Sequence, residues 1–235
     1  KGEVLFAALD TLTEIMQSHD VSIYSVTSVN YCRLSSASSE KARSLGKSIA
    51  IDQYPMIFNA LEKRQVFVNR TLDHKLPMMA SALYDDNIMR IVIFLWDLPY
   101  ENMTLYHTNL LTVVGALIYN AVVRDADYFD ALAYKRFIPE TRILQEEAFH
   151  EMVKIYQHAG EKGYTESCII YISSFQSIME MDEQIHSVIR DTDYVGVTSD
   201  GSLAVLLTNT NENEYIYVRD RLEANGIHTY LNKKI

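Results

Sequence analysis

From Leu105 to Phe137 the apolar residues Leu110, Leu111, Val114, Leu117, Ile118, Ala121, Val122, Phe129 and Leu132 recur at the spacing of one helix face, and Pro139 stops the pattern. This run constrains the fold more than any other feature. At 235 residues the chain is long enough for two domains, one before this helix and one after it. Its first half is expected to cover a preceding sheet and its second half to lead into the next unit. With 48% of the chain apolar, each unit has the material for its own core.

Before the long helix, Val4, Leu5, Ala8, Leu9, Leu12, Ile15 and Met16 follow a helical period. Val21 to Thr27 and Tyr31 to Ser36 read as strands meeting at a turn near Asn30. A helix opened by Pro55 runs to Glu62, and a strand covers Gln65 to Asn69. Met78 to Leu83 and Met89 to Trp96 form a hairpin closed by Asp85, Asp86 and Asn87. After the long helix come a helix from Arg142 to Ala159, a strand from Ser167 to Ser173 and a helix from Ser177 to Ile189. A hairpin of Tyr194 to Thr198 with Leu203 to Leu207 follows, then a helix from Glu212 to Ala224. The class is α+β, with a first domain at 1–125, a helical linker at 126–140 and a second domain at 141–235.

The formal charge of -10 is spread along the chain, which argues against a nucleic acid polymer as partner and leaves any anionic ligand to a few local arginines. Cys32 and Cys168 each sit inside a strand-like run, as buried free thiols in a reducing compartment do. The longest uninterrupted apolar run, Ile91 to Trp96, reads as a buried strand and is far shorter than a membrane span. The chain opens at Lys1 with no signal-peptide pattern, as expected of a fragment of a longer protein.

The chemically informative window runs from Arg190 to Leu203. Arg190 and Asp193 lie three residues apart just before a strand, a tight turn and a second strand. A guanidinium fork grips a phosphate or the O6/N7 edge of guanine, while a carboxylate accepts protons from guanine N1 and N2. The bare spacing more often marks a surface ion pair closing a helix.

The window resembles the inhibitory site of GGDEF-domain diguanylate cyclases, an RxxD motif five residues ahead of the signature turn. Arg190 and Asp193 take the motif's ends, Tyr194 to Thr198 are the spacers, and the signature is replaced by Ser199-Asp200-Gly201-Ser202-Leu203. Ala204-Val205-Leu206-Leu207 and Thr210 resemble the strand and turn that follow. Val218-Arg219-Asp220-Arg221-Leu222 resembles the next helix, where the family carries a secondary ligand arginine. Without gaps Arg221 takes that position, with Arg219 as the alternative register. Asp191 and Tyr194 are weaker candidates beside the motif, Tyr194 as a ring that stacks on guanine or packs in the sheet.

Active members of that family hold two magnesium ions on an aspartate of the first strand and an acidic residue of the signature. Here Cys168 to Phe175 resembles the first strand and its exit, but Tyr171 and Ser173 stand where aspartates are expected, and Gly201 and Ser202 fill the signature's third and fourth positions. The substrate-binding helix has no counterpart between Phe175 and Arg190. The resemblance therefore implies no catalytic residue, no metal and no cofactor.

A GAF-like α/β sandwich, a long helix and a degenerate GGDEF-like α/β domain with an intact RxxD together resemble the PelD family of cyclic-di-GMP receptors. That resemblance implies binding of cyclic-di-GMP, as a stacked pair, through Arg190, Asp193 and Arg221. It also implies a place at the cytoplasmic face of the cell membrane beside membrane-bound Pel exopolysaccharide synthesis proteins. Independently of the resemblance, the GAF helices and the linker helix offer the surfaces for a homodimer. A residual cyclase acting on GTP and a ligand-free interaction scaffold are the alternatives.

The other chemistry-bearing residues carry less. His107, His150 and His158 lack the spacing of a zinc site, and Ser35 to Ser39 lacks the glycine and lysine pattern of a phosphate loop. The GAF-like half shows no cyclic-nucleotide or chromophore residue and reads as an interaction module.

Overall fold

A computed structural model describes residues 2–28, 30–173 and 177–230. Phe175, assigned above to the exit of a strand, lies outside the described residues. The fold is α+β with antiparallel sheets, as the sequence reading expects. The chain divides into units Lys1–Asp127 and Tyr128–Ile235.

In the first unit, α1 (Gly2–Met16), β1 (Val21–Ser28), β2 (Tyr31–Ala37) and β3 (Ser48–Ala50) precede α2 (Pro55–Glu62), β4 (Phe67–Val68), β5 (Met79–Asp85), β6 (Ile88–Leu95) and α3 (Leu105–Ala131). The six strands form one sheet in the order β3-β2-β1-β6-β5-β4. The β5–β6 hairpin turns at Asp86, which holds φ +50°; a short polar side chain tolerates that conformation better than most. One face of the sheet, with Tyr24, Leu34, Phe94 and Trp96, packs on Ile57, Phe58 and Leu61 of α2. The opposite face is covered by α1, through Leu5, Leu9, Leu12 and Met16, and by α3. Gly115 lets α3 approach closely, since a Cβ there would lie 2.7 Å from Leu83 Cδ2. Cys32 is a free thiol inside the first core, and burial pushes its pKa up to about 12.

The long helix ends earlier than its apolar pattern. α3 stops at Ala131, and a separate turn, α4 (Ala133–Arg136), follows. α3 is also long and apolar enough, by length and composition, to cross a membrane, although its apolar residues are periodic and form no uninterrupted run. Here Leu111, Val114, Gly115 and Ile118 are buried on the unit's own sheet.

The second unit contains α5 (Glu146–Glu161), β7 (Ser167–Ile172), α6 (Ile178–His186), β8 (Tyr194–Val197), β9 (Leu203–Thr208), α7 (Tyr215–Ala224) and β10 (Thr229–Tyr230). Its sheet runs β10-β7-β9-β8. Period-2 alternation splits the strands between two faces. Ile170, Ile172, Val195, Val205 and Leu207 pack with Met181 and Ile185 of α6 and Val218 and Leu222 of α7. Tyr194 and Gly196 face α5 instead, through Tyr156 and Phe149.

The helix expected from Arg142 begins only at Glu146. Leu144 is extended and bonds to the outer edge of β8: its N–H donates to Val195 O at 2.8 Å, and Val197 N–H donates to Leu144 O at 3.0 Å. Two backbone bonds to a sheet edge and full burial of Ile143 and Leu144 outweigh helix propensity at these positions. Arg136 anchors the entry to this unit, with its guanidinium 4.4 Å above the Phe129 ring and 2.8 Å from Glu151 of α5.

Candidate functional site

The Arg190–Asp193 segment is the turn between α6 and β8. Asp193 N–H donates to Arg190 O at 3.0 Å, closing a four-residue turn. The carboxylate closes it a second time, because Arg190 N–H donates to Asp193 Oδ2 at 3.1 Å. Asp193 Oδ1 accepts from Thr208 N–H at 2.9 Å, which ties the turn to the end of β9. Thr208 Oγ1 lies 3.2 Å from Thr192 O and 3.3 Å from Asp193 Oδ1.

Asp193 is therefore a structural group of the turn before it is anything else. It is 6% exposed, and both its oxygens accept bonds from its own chain. Burial pushes its pKa above the ordinary carboxylate value, opposed by the Thr208 and Arg190 amides and by the Arg190 charge. The guanine-edge role expected of this carboxylate is thus open only to the lone pairs these bonds leave.

Arg190 behaves differently. Its side chain is half-buried, and its guanidinium makes no hydrogen bond or ion pair among the described residues, with the Asp193 charge as its electrostatic neighbour. Among the described residues, a fixed backbone thus carries a five-donor fork that makes no hydrogen bond. Asp191, next along the turn, is exposed.

The remaining candidates are spread over other elements. Tyr194 packs on α5, its ring 5.9 Å from that of Tyr156, with which it shares a side-chain hydrogen bond. On α7, burial of Val218 and Leu222 turns Arg221 outward, where its guanidinium has no side-chain partner among the described residues. Arg219 is held differently, with Nε and Nη2 on Asp220 Oδ1 at 3.0 and 2.7 Å and its guanidinium 5.9 Å over the Tyr215 ring. The structure thus brings Arg190, Asp191 and Asp193 together on one turn, and sets Arg221 on a helix that shares the sheet face with α6.

The opposite end of the β8–β9 hairpin carries the altered signature. Gly201 takes φ +82°, and Asp200 Oδ1 accepts from Thr198 Oγ1 at 2.6 Å and from Ser202 N–H at 3.1 Å. These bonds hold the Asp200 carboxyl below its usual range. Tyr171, where the cyclase pattern has an aspartate, stacks on Tyr230 at 5.5 Å. No cluster of three or more potential metal ligands occurs among the described residues.

Sequence reasoning did not single out Thr208. The hairpin register holds the signal, since the pair Tyr194–Leu206, extended by two residues, sets Thr192 opposite Thr208. A cleft of about 590 Å³ opens at the C-terminal end of α5, lined by Gln157, Thr165, Ser167 and Asn211 with Glu161, Glu166 and Glu212. It contains none of the six candidates, and its three carboxylates make it a poor host for a phosphate.

No family model and no curated protein matches the chain. Among solved structures it is similar to a PelD fragment from Pseudomonas aeruginosa PA14 in complex with c-di-GMP, at 13% identity and a TM-score of 0.39, covering 96% of this chain and 80% of that one. The apo form of that fragment gives 14% identity and a TM-score of 0.39, covering 96% and 79%. A PelD fragment from Pseudomonas aeruginosa PAO1 gives 12% identity and a TM-score of 0.38, covering 96% and 81%.

Proposed function

We propose that this chain is a cyclic-di-GMP receptor whose second unit binds the dinucleotide at the Arg190 turn. The observation that carries the reading is the unengaged Arg190 guanidinium on a turn locked from both sides by Asp193. In a chain of net charge -10, a half-buried arginine with no bonded carboxylate partner among the described residues is where an anionic ligand finds compensation. Arg190 takes a phosphate or the O6/N7 edge of guanine. Asp193 holds the turn in register, and Arg221 supplies a second cation for a stacked pair of ligands.

The same proposal makes the protein a non-enzyme. The signature turn keeps its hairpin but has exchanged acidic positions for Gly201 and Ser202, and Tyr171 fills the place of a metal-binding aspartate. By the same resemblance, the occupied receptor acts on membrane-bound Pel synthesis proteins at the cytoplasmic face of the membrane.

Calorimetric titration with cyclic-di-GMP tests the reading. Saturable binding is expected, with Arg190→Ala at least tenfold weaker. Loss of a charged, multiply bonded contact is worth on the order of 2 to 5 kcal/mol. Equal affinity in the two proteins sinks the site, and cyclic product formed from GTP and magnesium sinks the non-enzyme reading.

A further inference from the structure

α3 carries two apolar seams on different sides. Leu111, Val114, Gly115 and Ile118 turn inward and are buried on the unit's own sheet. Tyr106, Val113 and Leu117, on another side, are 69%, 57% and 63% exposed. With Leu110 and Asn120 they advance in alternating steps of four and three residues, and Arg124 takes the next step of four. At 3.6 residues per turn these six positions fall within about 40° on either side of one line along the helix. That is the narrow stripe of a coiled coil, not the wide face of a helix lying on a core.

The charge pattern narrows what covers the stripe. From Leu105 to Val123 the sequence holds no Asp, Glu, Lys or Arg. Helices that lie on a membrane surface carry Lys and Arg on their polar side, and a chain of net charge -10 is repelled by anionic lipid. A partner helix must instead offer apolar groups at the same spacing and a polar group opposite Asn120. A second α3 in parallel offers both. Leu110, Val113 and Leu117 then meet their equivalents, and the two Asn120 amides, each donor and acceptor, bond to each other; a single asparagine in such a seam fixes its register. One turn further on, Arg124 and Asp127 are exposed and make no ion pair among the described residues, so each Arg124 is free to meet Asp127 of the second copy. An antiparallel pair over the whole seam would set Asn120 against Leu110 and leave its amide without a partner. α3 is already folded on its own sheet, so association does not bear the entropic cost of forming the helix.

We infer that the protein forms a homodimer through this outer stripe, with the two α3 helices parallel. The other candidate helices are engaged or too short: α1 buries Leu5, Leu9, Leu12 and Met16, and past Ala131 the linker is helical only over the four residues of α4. The inference does not rest on the reading of the Arg190 turn.

Sedimentation equilibrium of the full chain at tens of micromolar should give twice the chain mass. Leu117→Glu should weaken the pair at least about tenfold and leave far-ultraviolet circular dichroism unchanged, because residue 117 is exposed in the single chain. Orientation is read by cross-linking in a Cys168→Ser background, Cys32 being buried. With copper phenanthroline as oxidant, Tyr106→Cys alone and Arg124→Cys alone should each yield a disulfide-linked dimer. The two positions lie about 27 Å apart along the helix, so an antiparallel pair would link only a mixture of the two variants, a result that overturns the inference. A wild type that stays monomeric overturns it too, whether or not it binds vesicles of neutral lipid, as does a dimer that Leu117→Glu leaves intact.

Discussion

Substituting Gly196 by alanine is expected to destabilise the second unit by about 3 kcal/mol, the upper end of what overpacking a core costs. The added Cβ would stand 2.3 to 2.4 Å from three side-chain atoms of Phe149. Phe149 is 3% exposed on α5 and has no free direction in which to retreat. β8 cannot yield easily either, because Leu144 bonds to one of its edges and β9 to the other. Thermal unfolding should fall by more than 10 °C at roughly 4 to 8 °C per kcal/mol for a unit of this size. A companion Phe149→Ala change should recover part of the loss if the clash is its cause. Gly115→Ala provides the contrast, since its Cβ meets only the end of a flexible leucine, Leu83 Cδ2. An unchanged melting curve for Gly196→Ala would mean that α5 does not lie on this face of the sheet.

The second large effect belongs to Asp193. Removal of its carboxylate in Asp193→Ala leaves the Thr208 and Arg190 amides without their acceptors, at about 1 to 3 kcal/mol for each group that stays dry. The ligand should be lost as well, because the turn no longer fixes Arg190. Asp193→Asn keeps one acceptor oxygen and should lie between the two. The pH dependence has a definite sign. Burial raises the pKa of Asp193 in the folded state, so its stabilising contribution is fullest below the ordinary carboxylate value and declines as pH rises through the folded value. The advantage of wild type over Asp193→Asn in urea unfolding should therefore shrink on going from acid to neutral pH. An advantage that grows over that range would mean that the Thr208 and Arg190 amides and the Arg190 charge outweigh burial and lower the folded value.

Local chemistry made parts of this molecule legible from its residues. The β8–β9 hairpin shows itself as two apolar runs around Ser199-Asp200-Gly201, where only glycine takes the φ of +82° without strain. The helix before Pro139 and the helix opened by Pro55 are signalled by residues whose backbone preference is strong. What was hidden depends on partners distant in sequence. Ile143 and Leu144 continue the apolar pattern of α5, and only pairing with Val195 and Val197, some fifty residues on, makes Leu144 extended. β3 and β10 span three and two residues, too short for alternation to register. At the site itself, the candidate arginines were readable as residue types, whereas the engagement of Asp193 with Thr208 follows from hairpin register. The division of α7 into an outward Arg221 and an Arg219 turned to Tyr215 follows from which neighbours are buried.

The most direct measurement is the position of the ligand itself. Amide chemical-shift mapping of the isotope-labelled chain during titration with cyclic-di-GMP should move the resonances of Arg190 to Tyr194 first and furthest, with Thr208 and Arg221 following. Shifts confined to the first unit, or to Tyr215, Thr229 and Tyr230 with the 190–194 amides unmoved, would contradict the account.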